Sequence, residues 1–221
     1  MIQKIPCLCD NSFSAEIPEE INLDTEPKRL DEIIDGTFLN FKCPSCGKKH
    51  KPEFFIRVMW PSKKIEIDVY TELERGEFYR RKKETKDPSG STLKKETVIG
   101  YPELSERLLV YRDDLEPAAI EAIKYFLYLK TEENYPDEEP EIWYNGFFGG
   151  KPGSAGNENV SLEFHIHGIR KDEVAVMKIP FSLYRQYCDD YKKHPKNELF
   201  TALKVRTYLS VKNTMRPEIL K

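Results

Sequence analysis

Four of the five cysteines fall within the first 46 residues, as Cys7-Leu8-Cys9 and Cys43-Pro44-Ser45-Cys46, while Cys188 stands alone far downstream. No other feature limits the fold as strongly, because thiols grouped this way have few joint uses. Five cysteines in 221 residues are too few for the disulfide scaffold of a small secreted domain. A redox dithiol is a second use, and "CPSC" has its spacing. That chemistry needs the first sulfur at a helix N-terminus, where aligned amides lower its pKa. Here "GKKHKPEFFIRVMW" follows, with Gly47, Pro52 and a run of β-formers, which predicts a turn into a strand.

A metal accounts for all four thiols together. Tetrahedral zinc takes four donors, and a tight turn with two intervening residues sets two sulfurs at a suitable separation. Pro44 fixes such a turn, and Gly47 supplies the positive φ that lets backbone amides face a thiolate. On an extended segment Cys7 and Cys9 share a face, so a bend at a hairpin end turns both towards one ion. The expected ligand set is therefore Cys7, Cys9, Cys43 and Cys46 around a structural Zn2+. A four-sulfur site is closed to water and substrate. His50 is a fifth candidate donor, expected to be exposed beside Lys48, Lys49 and Lys51. Cys188, within "LYRQYCDDY", is expected to pack as a small apolar residue on a helix.

Around the thiols the pattern is mixed. "IQKIPC" and "SFSAEI" predict a short hairpin carrying Cys7 and Cys9 near its turn. Asp24 or Thr25 is the expected cap of a helix from about Pro27, with Leu30, Ile33 and Ile34 as its apolar stripe and Gly36 as its end. "TFLNFKC" reads as a strand entering the second cysteine pair. "EFFIRVMW" and "IEIDVYTEL", separated by "PSKK", read as a second hairpin with Ile65, Ile67 and Val69 on one face. "RRKKETKDPSGSTLKK" carries one apolar residue and reads as a solvated loop. Helices are expected at "YPELSERLLVY" and "EPAAIEAIKYFLYLK", then strands at "EIWYNGFF", "VSLEFHIHGI" and "EVAVMKIPF", and helix from Ser182 onward. The class is α+β: an N-terminal zinc-ribbon-like β module with one inserted helix, followed by a mixed helix and antiparallel-sheet part. The expected divisions are 1–74 for the cysteine module, 75–97 for a basic loop or linker, and 98–221 for the remainder.

Charge narrows the partners. Lys and Arg total 35 against 38 Asp and Glu, a formal net charge of -3, which supplies no global attraction to nucleic acid or an anionic membrane. No apolar run approaches the roughly 18 residues needed to span a bilayer. The start "MIQKIPCLCD" has one lysine and no apolar core segment, so no secretory signal and a cytoplasmic address are expected.

The stretch "CLCDNSF…INLDTEPKRLDEIIDGTFLNFKCPSCG" resembles the CpXC family of bacteria and archaea, with its two cysteine motifs separated by an Asn…Pro…helix…Gly segment. Asn22, Pro27, Leu30, Gly36, Asn40 and Phe41 fall where the family pattern has similar residues. "IGYPELSERLLVYRDDLEPAAIEAIKYFL" is similar to its downstream helical part, so the likeness runs from Cys7 to Leu129. Cys7-Leu8-Cys9 is one residue shorter than the family's C-P-x-C. The resemblance implies zinc-ribbon-like metal binding and no particular reaction.

Three further stretches invite a functional reading. "EFHIH" sets Glu163, His165 and His167 on one strand face, the start of a hydrolytic metal site or the wet face of an antiparallel sheet. "NGFFGGKPGSAGNEN" lacks the G-x-x-x-x-G-K-[ST] pattern, since Pro152 follows Lys151, and reads as a hairpin loop; Phe147 and Phe148 before it tuck under a sheet or meet a partner. The basic stretches Lys42 to Lys51 and Arg80 to Lys95 are short footprints for phosphates, whereas Phe54, Phe55 and Trp60 sit in strands. The expectation is a non-catalytic binding or scaffold protein with a protein partner, no membrane, and its zinc structural. The alternatives are an RNA- or DNA-binding zinc-ribbon module and a metal-dependent hydrolase on Glu163, His165 and His167.

Overall fold

The computed structural model describes residues 1–81, 92–150 and 160–215. Strands β1 (Ile2–Pro6) and β2 (Ser12–Glu16) form the expected antiparallel hairpin, Pro6 opposite Ser12. Strand β3 (Glu20–Asn22) leads into helix α1 (Pro27–Ile34), with proline in the first turn and Ile33 buried. The helix is capped by Glu26 without a side-chain bond. Asp24, one of the expected caps, instead accepts hydrogen bonds from the Ser62 amide at 2.8 Å and hydroxyl at 2.6 Å.

After α1 the chain differs from the expected long strand. Gly36 and Leu39 adopt positive φ, Asn40 donates to the Gly36 carbonyl, and Phe38 is buried. Only β4 (Phe41–Lys42) pairs, with β5 (Lys49–His50), so that Phe41 faces His50. Strand β6 (Ile56–Trp60) and strand β7 (Ile65–Tyr70) are antiparallel, joined by a 3-10 turn at Pro61–Lys63 and a left-handed Lys64. Ile65, Ile67 and Val69 are all buried, which is the alternation of a strand with one face in the core. Helix α2 (Arg75–Arg80) and strand β8 (Lys94–Ile99) give order to both ends of the polar stretch expected as a loop. Its middle lies outside the described residues. β8 runs parallel to β7 and β3 parallel to β6, giving the order β8-β7-β6-β3.

Helix α3 (Tyr101–Arg112) follows. The chain divides into one unit of Met1–Ser105 and another of Glu106–Lys221. In the second, α4 (Pro117–Asn134) starts at proline, its Glu116 cap accepting from the Ala118 amide. Strands β9 (Glu141–Phe148), β10 (Ser161–His167) and β11 (Ala175–Pro180) form an antiparallel sheet in the order β11-β10-β9. Helix α5 (Phe181–Lys193), helix α6 (Glu198–Ala202), the hairpin β12 (Lys204–Val205) and β13 (Tyr208–Leu209), and α7 (Lys212–Met215) complete the unit. α4 packs against α5 and β9, and the sheet turns Ile142, Tyr144, Leu162, Phe164 and Ile166 inward. The protein is thus α+β, with a strand-rich cysteine region.

Candidate metal centre

Each cysteine pair occupies the turn of a hairpin, and backbone hydrogen bonds shape both turns. Between β1 and β2 the Cys7 amide bonds the Asn11 carbonyl at 2.9 Å, and Asp10 takes φ +61. Between β4 and β5 the Cys43 amide bonds the Lys48 carbonyl at 2.9 Å, and the Gly47 amide returns to the Cys43 carbonyl at 2.9 Å. Gly47 has φ +73 with nothing within 4 Å of where a Cβ would sit. Glycine is needed there for its conformation and not for space.

Side chains then tie the hairpins together. Asn11 donates to the Ser45 hydroxyl, and the Phe13 ring meets Phe41 and His50 edge-on, with centroids at 6.4 and 5.8 Å.

This packing brings Cys7 Sγ to 3.6 Å from Cys46 Sγ and Cys9 Sγ to 3.7 Å from Cys43 Sγ. All four sulfurs lie within 4.8 Å of one another. Zinc–sulfur bonds of about 2.3 Å in a regular tetrahedron place sulfurs about 3.8 Å apart, so the spacing fits one ion at the centre. The cysteines are free thiols. Cys7 and Cys43 are buried, and Cys9 and Cys46 are exposed, so the centre has a packed side and an open side.

Proton chemistry favours a cation here. The Cys46 amide, opposed by burial and aided by the Ser45 amide, holds the Cys43 thiol down to about 6. At Cys7 the Cys9 amide pulls the other way, but burial and hydrogen bonds with the neighbouring thiols push the thiol up to about 12. Four sulfurs this close do not all ionise without positive charge among them.

His50 is half-buried, not exposed among the lysines. Its Nε2 lies 3.2 Å from Cys7 Sγ, and it does not belong to the group of mutually close donors. Among the described residues that group comprises only the four cysteines. Sequence reasoning missed Asn11 and Ser45, whose one signal is their place near the cysteines in each turn, and Phe13, which lies on β2.

The other candidates sit apart from this centre. Glu163, His165 and His167 share the half-exposed face of β10, with Phe164 and Ile166 buried opposite. Asn145 donates to Glu163 Oε1 at 3.1 Å, and His165 Nε2 lies 3.0 Å from the same oxygen. These bonds, the Asn145 one foremost, hold the Glu163 carboxyl below its usual range. Phe147 packs on Phe181 at 6.1 Å, and Phe148 is exposed under the Lys178 ammonium. The glycine-rich stretch beyond Gly150 lies outside the described residues. Lys42, Lys48, Lys49 and Lys51 are exposed, Trp60 is buried, and Phe55 meets Tyr70 edge-on. Cys188 is buried on α5. No helix of the described residues is long and apolar enough to cross a membrane.

A family model described as "CpXC protein" matches residues 5–124. A protein of Treponema pallidum (strain Nichols), described as "Uncharacterized protein", is 29% identical over 222 aligned positions, which cover 96% of this chain and 98% of that one. No solved structure matches.

Proposed function

The chain belongs to the CpXC family, and from that premise we propose that Cys7, Cys9, Cys43 and Cys46 hold one structural Zn2+ in a zinc-ribbon-like module. The observation that carries this reading is the meeting of four sulfurs from two separate hairpins, at 3.6 and 3.7 Å across the pairs. Thiolate ligands suit zinc, and a cytoplasmic, reducing setting keeps them available. Four protein ligands leave no position for a water, so the ion braces the fold and activates nothing. The protein is then a non-catalytic binding or scaffold protein, its partner another protein meeting a surface that the ion keeps in shape.

Elemental analysis of protein purified without added metal tests this, with one zinc per chain expected. Cys43→Ser should lose the metal and melt at lower temperature together, because metal-binding free energy is folding free energy at such a site. Metal loss with unchanged melting would remove the structural role. Zinc content unchanged when His165 and His167 both become alanine would separate this centre from the β10 face.

A second reading rests on the exposed Lys42, Lys48, Lys49 and Lys51 around the second turn, which suit phosphates of RNA or DNA. Binding that weakens log-linearly with salt supports it. No binding to single- or double-stranded oligonucleotides at low salt removes it.

A further inference from the structure

The two cysteine turns are unequal: Cys7-Leu8-Cys9 is one residue shorter than Cys43-Pro44-Ser45-Cys46. Four thiolates around a divalent cation carry two negative charges in excess, and donors aimed at sulfur disperse that charge. In the shorter turn Cys7 is buried, and His50 Nε2 lies 3.2 Å from its Sγ. Its ring is held from two sides, by the edge-on Phe13 ring at 5.8 Å and by the β4–β5 pairing that sets His50 opposite Phe41.

We infer that His50 is a positioning residue of the metal centre, donating its Nε2–H to the buried Cys7 Sγ. The inference rests on the metal reading above. A metal-bound thiolate has no proton to give, so the proton between the two atoms belongs to Nε2. His50 thereby fixes the direction of Cys7 Sγ and lowers its charge without binding the ion. Outer partners of this kind are worth about 10–100-fold in metal affinity.

Three measurements on the full chain test it. His50→Phe keeps a ring against Phe13 but has no donor; zinc affinity against a competing chelator should fall about 10–100-fold while the circular dichroism of the zinc-saturated protein stays unchanged. His50→Gln, which keeps an N–H, should recover most of that loss. In the cobalt-substituted protein the sulfur-to-metal charge-transfer band should move to lower energy for His50→Phe and less for His50→Gln. In the wild type, nitrogen NMR of the zinc-loaded protein should find the neutral His50 ring protonated at Nε2. A His50→Phe protein with wild-type affinity and an unmoved band would overturn the inference. So would equal losses in both variants, or a proton at Nδ1. A wild type that binds no zinc or cobalt would sink the parent reading itself, an outcome distinct from these.

Discussion

Cys9 Sγ and Cys43 Sγ lie 3.7 Å apart although 34 positions separate them in the chain. Closing a loop of that length costs conformational entropy that grows with the logarithm of its length. Here the closure is set by paired turns, by the Phe13 ring between them and by the Asn11–Ser45 bond. An ion held by the four sulfurs would add a further restraint.

The left-handed Gly47 tests the second turn. Gly47→Ala meets no atom, so its cost is the backbone strain of φ +73 alone, about 1–2 kcal/mol. Thermal unfolding should drop by a few degrees, and metal retention should weaken with it. An unchanged melting temperature would show that the turn relaxes without harm.

Lys124 tests the core of the second unit. Its ammonium lies 2.6 Å from Glu106 and 3.5 Å from Glu121, whose other oxygens accept from the Tyr144 and Val211 amides. Burial alone would discharge it, but the two carboxylates hold it above its usual value. Lys124→Met leaves Glu106 buried without its cation, while Glu121 keeps the Arg107 guanidinium at 3.6 Å, and should cost about 3–5 kcal/mol in urea unfolding. A loss below about 1 kcal/mol would mean water reaches the pair.

The β10 face should respond to pH in a defined direction. Asn145 and His165 hold the folded Glu163 carboxyl below its ordinary 4.5. A depressed acid contributes stability above its unfolded value and loses it as pH falls through the folded one. Asn145→Ala should raise the Glu163 titration midpoint in carboxyl NMR. No movement would show that Asn145 does not set it.

The two edges of the β11-β10-β9 sheet should exchange hydrogen differently. The outward amides of Ile142 and Tyr144 on β9 are taken by the Tyr128 hydroxyl and Glu106. On β11 the Phe181–Val160 bond sets the alternation, which turns the Val176 and Lys178 amides away from β10 towards the open edge. Deuterium uptake should be fast at those two and slow at Ile142 and Tyr144. Equal protection would mean that something covers β11.

Much of the local plan was readable. The Pro27 helix, the β6–β7 hairpin with its Ile65, Ile67 and Val69 face, the two helices at Tyr101 and Pro117 and the three later strands all follow from periodicity and turn residues. The readings that failed depended on distant partners. Asp24 left the helix cap for Ser62, and the strand expected through Thr37–Lys42 shrank because Phe38 is buried and Leu39 turns left-handed. The parallel pairings of β3 with β6 and β7 with β8 left no mark on either strand alone.

By itself the sequence determined four thiols in two turns and a mixed α+β chain, because thiol spacing, glycine and side-chain period act over a few residues. Only the tertiary structure decided that Cys7 meets Cys46, that Cys9 meets Cys43 and that His50 lies against Cys7. Those meetings depend on how two hairpins pack across a long intervening segment, and packing is a property of surfaces that exist only once the chain has folded.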